Sequence, residues 1–80
     1  MTKIIVWNLP EETSEERIRA ALGPYAPIIS VAIKREGDPH APAAIIDLDL
    51  DSFAASTLVL RIDGLWHEGK FLTAQVLLHP

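Results

Sequence analysis

Lys3-Ile4-Ile5-Val6-Trp7-Asn8-Leu9-Pro10-Glu11-Glu12-Thr13-Ser14-Glu15-Glu16-Arg17-Ile18 decides the fold, because its periodicity changes partway along. The first half is a short apolar run rich in β-branched residues, and Pro10 stops it, which reads as a strand. Alternation sends Ile4 and Val6 to one side and Lys3, Ile5 and Trp7 to the other. The second half opens a helix. Thr13 or Ser14 can cap its free amides, and Thr13 with Glu16 fits a capping box. The clustered acids favour the positive end of the helix dipole. Ile18, Ala21, Leu22 and Tyr25 then recur at helical spacing as one apolar stripe, and Gly23-Pro24 closes the helix.

The remaining chain repeats this logic. Ile28 to Lys34 is a second strand, and Arg35-Glu36-Gly37-Asp38-Pro39 is a polar turn-rich loop. Ala43 to Leu50 is a third strand in which Asp47 and Asp49 alternate with Ile46, Leu48 and Leu50. Asp51-Ser52 can cap a second helix, with Ala55, Leu58, Val59 and Ile62 as its apolar stripe. Asp63-Gly64 ends that helix, Glu68-Gly69 is a turn, and Phe71 to Leu78 is the last strand. The order is β-α-β-β-α-β over one domain, residues 1–80. Two helices with one apolar stripe each need one sheet face to cover. The expected fold is therefore α+β: a ferredoxin-like sandwich, with a four-stranded antiparallel sheet, two helices on one face and the other face open.

Composition limits the chemistry. The 80 residues include no cysteine, which excludes disulfides and thiolate metal sites. The hydrophobic fraction is 49% with few aromatics, so the fold must rest on an aliphatic core, with some apolar surface left exposed. No apolar run reaches the ~20 residues that cross a bilayer, and the N-terminus lacks a signal-peptide pattern. A cytoplasmic protein with no membrane partner is expected. His40, His67 and His79 have no metal-ligand spacing. Ser14, Ser30, Ser52 and Ser56 have no neighbouring base, the acids at Glu11–Glu16 are explained by a helix start, and there is no Gly-rich phosphate loop. The expectation is no enzyme, no cofactor, no metal and no small-molecule substrate.

Ile4-Ile5-Val6-Trp7-Asn8-Leu9-Pro10 resembles the first-strand hexapeptide of the RNA recognition motif (RRM) family. The resemblance continues through Thr13-Ser14-Glu15-Glu16-Arg17-Ile18 and Tyr25-Ala26-Pro27-Ile28-Ile29-Ser30-Val31. It resumes at Ala55, Leu58, Val59, Ile62, Asp63-Gly64, Gly69-Lys70 and Leu72. It departs in the third strand. The family's octapeptide there is basic and aromatic, whereas this chain has Ala41-Pro42-Ala43-Ala44-Ile45-Ile46-Asp47-Leu48. The family stacks RNA bases on aromatics of the first and third strands. The aligned positions here hold Ile5, Ala43 and Ile45. A lost base stack weakens binding by roughly 1–3 kcal/mol per base.

What the resemblance implies is single-stranded RNA as a weakly held partner on the open face. The residues placed there are Lys3, Ile5, Trp7, Lys34, Arg35, Ala43, Ile45 and Lys70, with Thr73 and Gln75 offering hydrogen bonds to base edges. Trp7 can serve as a stacking platform or cover its neighbours on the sheet. With the acids assigned to the first helix start and to Asp47-Asp49-Asp51, the cations can form a positive rim on a chain of net charge −4. That net charge opposes phosphate binding in general. The competing reading is a protein-interaction or homodimerisation module on the same scaffold, using Trp7, Ile45, Leu60 and Trp66. The outer face of the second helix (Ala54, Ser56, Thr57, Leu60, Arg61) carries little charge. Trp66 can either fold onto the core edge or stand out as an anchor. A protein-binding RRM subclass has Arg-x-Phe after the second helix, and the aligned Lys70-Phe71-Leu72 does not match it.

Overall fold

Residues 1–77 are described by the computed structural model, and each element forms where a local signal requires it. In chain order they are β1 (Thr2–Trp7), α1 (Glu15–Leu22), β2 (Ile28–Lys34), β3 (Ala43–Leu48), α2 (Ser52–Ile62), β4 (Trp66–His67), β5 (Lys70–Phe71) and β6 (Thr73–Leu77). The expected last strand ran to Leu78. Leu78 and His79 lie outside the described residues.

β2, β3, β1 and β6 lie side by side in that order, every neighbouring pair antiparallel. Even-numbered residues of β1, β3 and β6 face the core. Ile4, Val6, Ala44, Ile46, Leu48 and Ala74 are buried together with Ile18 of α1 and Ala55, Leu58, Val59 and Ile62 of α2. Both helices therefore cover one sheet face, in the βαββαβ arrangement, and the odd-numbered face is left uncovered. The α2 stripe is the one its spacing predicts.

Three local expectations are corrected. The helix α1 is capped by Ser14, whose Oγ accepts from the Arg17 N–H at 3.2 Å. The Thr13–Glu16 box does not form, because Thr13 turns inward with its N–H on the Pro10 carbonyl at 3.0 Å and is buried. Tyr25 leaves the apolar stripe because the helix stops at Leu22. It is 70% exposed, and Ala26 is buried in its place. The last strand is interrupted at Leu72. Its carbonyl accepts from Gly64 N–H at 2.7 Å and its own N–H goes to the Leu65 carbonyl at 2.9 Å, so this backbone is tied to the end of α2 instead of to β1. Asp51 caps α2 through the Ala54 N–H at 2.8 Å, as its position suggests. Among the described residues, no helix is long and apolar enough to cross a membrane.

Candidate nucleic-acid interface

Sheet register sorts the uncovered face into three rows. The middle row is Ala32, Ile45, Ile5 and Gln75, all direct cross-strand partners. Towards one end stand Lys34 opposite Ala43, and Trp7 opposite Thr73. Towards the other stand Ser30 opposite Asp47, Asp47 opposite Lys3, and Lys3 opposite Leu77. Alternation thus brings together Lys3, Ile5, Trp7, Lys34, Ala43, Ile45, Thr73 and Gln75, as the sequence suggests. Trp7 is half-buried. Its partner Thr73 is small, and β3 begins at Ala43 one residue beyond the Val6–Ala44 pair. No large side chain of either neighbouring strand is therefore set against the indole at this level.

The charges are arranged differently from the expected rim. Asp47 is not remote from the lysines. It is the register partner of Lys3, because odd parity on β3 puts it on the same face as Ala43 and Ile45. Cross-strand partners have Cβ atoms about 4.5–5.5 Å apart, so the Lys3 charge is opposed locally. Arg35 is anchored toward the segment before α1. Its guanidinium donates to the Glu11 carbonyl at 3.0 Å and the Thr13 carbonyl at 2.6 Å. Lys70 donates to the His40 carbonyl at 2.6 Å and the Leu9 carbonyl at 3.3 Å. Carbonyls orient these cations without neutralising them. Two of the five N–H donors of Arg35 and two of the three of Lys70 are used, leaving the rest free. The nearby carboxylates of Glu11 and Glu68 are each held by a histidine, Glu11 by His40 at 2.5 Å and Glu68 by His67 at 3.0 Å.

The segment after α2 is a short hairpin around the expected Glu68-Gly69 turn. β4 and β5 pair Trp66 with Phe71 and His67 with Lys70. The turn residues Glu68 and Gly69 have φ of 48° and 84°, the double left-handed geometry of a tight hairpin turn. The rings of Trp66 and Phe71 meet edge to face, centroids 4.7 Å apart. Both remain open to solvent, 60% and 61% exposed, so Trp66 does not fold onto the core edge. The hairpin is tied to the sheet by Asn8, whose side-chain amide donates to the Phe71 carbonyl at 2.9 Å. Asn8 itself sits at φ 63°, a region Asn tolerates better than most residues. Phe71 was not among the expected site residues. Two signals point to it: its odd parity with Thr73 and Gln75, and the Glu68-Gly69 turn, which sets Phe71 opposite Trp66.

On the helical side, Leu60 is exposed as expected, and Phe53, one helical face-repeat earlier, is exposed with it. Between α1 and α2 a mostly apolar groove of about 530 Å³ reaches Ile18, Leu22, Leu58, Ile62 and Leu72. Among the described residues, no group of three or more His, Asp or Glu is placed to hold a metal.

The family model for the RNA recognition motif matches residues 4–57. No curated protein matches the chain in sequence. Similar solved structures include Pes4 RRM3, with a TM-score of 0.84 and 20% identity over 100% of this chain and 95% of that one. The Rna15 RRM with bound RNA (GU) has a TM-score of 0.73 and 17% identity, covering 91% and 79% of the two chains. Plasmodium falciparum SR1-RRM1 in complex with ACAUCA RNA has a TM-score of 0.69 and 27% identity, covering 94% and 82%.

Proposed function

Because the chain belongs to the RNA recognition motif family, we propose that it is an RNA-binding module that takes single-stranded RNA weakly on the uncovered sheet face. It carries no catalytic step in this reading. The observation behind the reading is Trp7, an indole on that face with Thr73 as its β6 partner. Around it, Ile5, Ile45 and Ala43 offer apolar contact to a base, and Thr73 and Gln75 offer hydrogen bonds. Weak affinity follows from the aliphatic third strand, which removes stacking worth roughly 1–3 kcal/mol per base, and from the net charge of −4. The relatives solved with GU and with ACAUCA RNA lend the reading support by likeness.

Titrating short RNA pools at low salt while following amide NMR shifts tests it. Shifts at Ile5, Trp7, Ile45 and Gln75 are expected. Silence of all four at high RNA concentration would reject it.

A second reading, a protein-contact or self-association module, is favoured by the α2 surface. Phe53 and Leu60 are 81% and 79% exposed, and large exposed apolar side chains grouped on one helix mark contact surfaces more often than solvated ones do. Sedimentation of the free protein separates the readings. A dimer that Leu60→Asp converts to a monomer would support the second, and a strict monomer at high concentration would remove self-association.

A further inference from the structure

We infer that the β4–β5 hairpin supplies a base-stacking platform for single-stranded RNA, Phe71 with Trp66, in place of the platform that β3 lacks. This inference rests on the RNA-binding reading above. Three observations converge on it.

First, the uncovered face is aliphatic where β3 crosses it, with Ala43 and Ile45 at its positions. The exposed aromatic surface near that face is instead the edge-to-face pair Trp66–Phe71. Leu72 is buried, so Phe71 and Thr73 on either side of it lie outward. Thr73 is the partner of Trp7, and the Asn8 amide, next in the chain after Trp7, holds the Phe71 carbonyl, which puts the hairpin beside the Trp7 end of the sheet.

Second, the charge favours that end. Among the described residues, Lys34, Arg35 and Lys70, like Lys3, have no carboxylate within salt-bridge distance, but of the four only Lys3 has an acidic residue as its register partner. Glu11 and Glu68 are taken by His40 and His67. At the opposite end the Asp47 carboxylate stands beside Lys3 and repels phosphate. A strand of RNA therefore finds three cations outside any ion pair at the Trp7 end, with two of the nearby carboxylates hydrogen-bonded to histidines.

Third, the aromatic pair is held in place. The Asn8 amide fixes the Phe71 carbonyl, Lys70 ties β5 to Leu9 and His40, and the tight turn sets Trp66 across from Phe71. A fixed aromatic surface loses little freedom when a base stacks on it.

Two single-tryptophan variants test this: Trp7→Phe reports from Trp66 and Trp66→Phe reports from Trp7. Each is titrated with a uridine octamer at low salt, and affinities are measured for Phe71→Ala, Trp66→Ala and the helix-side control Leu60→Ala. The expected result is quenching of both tryptophans, about tenfold weaker binding for each hairpin alanine variant, no change for Leu60→Ala, and near wild-type affinity for Trp66→Phe, which keeps a stacking ring. Quenching of Trp7 with wild-type affinity in Phe71→Ala and Trp66→Ala would overturn the inference and leave the RNA-binding reading standing. If neither tryptophan responds, both fall. If the hairpin variants abolish a self-association while RNA affinity is unchanged, the pair is a protein contact and the inference is overturned. Because both side chains are exposed, the variants are expected to fold. Should an alanine variant fail to fold, Trp66→Phe against Trp66→Leu makes the same comparison, and equal affinity of those two overturns the inference.

Discussion

Replacing Asp47 by Asn should tighten RNA binding and steepen its dependence on salt. The carboxylate is the cross-strand partner of Lys3 on the uncovered face. As long as it is present, the ammonium opposite it contributes little net attraction for a phosphate. Asparagine keeps the size and removes the charge, freeing one cation. Each phosphate newly neutralised on a single strand adds about 0.7 to the slope of log K against log salt. Lowering salt tenfold should then strengthen the variant about fivefold more than the wild-type chain. Fluorescence anisotropy of a labelled uridine octamer across a salt series measures both slopes. Glu16→Gln is the control, since it makes the same change in net charge on α1. The molecule measures 31 × 24 × 21 Å, and the screening length is about 10 Å at 0.1 M salt, so a charge on the helical side is largely screened from the opposite sheet face. The cost in stability should stay small, about 0.2–1 kcal/mol for a lost cross-strand pair. Equal slopes for Asp47→Asn and Glu16→Gln, or an unchanged slope for Asp47→Asn, would refute the reasoning.

Three further outcomes are expected. Arg35→Met removes two hydrogen bonds to the carbonyls of Glu11 and Thr13 and should cost about 1–3 kcal/mol in urea unfolding; an unchanged midpoint would show that those carbonyls are equally well served by water. Asp51→Ala removes the cap of α2 and should destabilise the domain by about 0.5–2 kcal/mol, read as a lower Tm, whereas Asp51→Ser should recover most of the loss. Glu68→Asn places a residue suited to left-handed backbone at φ 48° and should raise Tm slightly, by an amount equivalent to about 1 kcal/mol or less. A fall in Tm would mean that the His67–Glu68 contact outweighs the strain.

Much of the fold is legible in the sequence because its signals are local. Residues Ala55, Leu58, Val59 and Ile62 repeat at helical spacing and are the ones buried. The parity of β1 alone sends Ile5 and Trp7 to the open face. Features needing long-range geometry were not legible. Arg35 and Lys70 read as rim cations, since a carbonyl acceptor leaves no trace in side-chain composition, yet both are engaged by backbone oxygens distant in sequence. Asp47 read as part of an acidic stretch away from the lysines until register set it against Lys3. The Glu68-Gly69 turn is legible, but its tight double left-handed form, which sets Trp66 against Phe71, is not specified by a Glu at the first position. Helical periodicity extended to Tyr25, but the Gly23-Pro24 stop had already ended the helix.

The central position of β1 has a consequence for how the protein is made. β1 lies between β3 and β6, so the segment Thr2–Trp7 gains its second neighbour only when Thr73–Leu77 has been synthesised. At roughly 5–20 residues per second, several seconds pass in which Ile4, Ile5, Val6 and Trp7 hang from the ribosome with one strand edge unsatisfied, even after β3 has emerged. During that interval the nascent chain offers a sticky apolar ribbon to chaperones and to other nascent chains. A mutation that weakens β6 should therefore lower the yield of native protein in the cell by more than its effect on equilibrium stability implies.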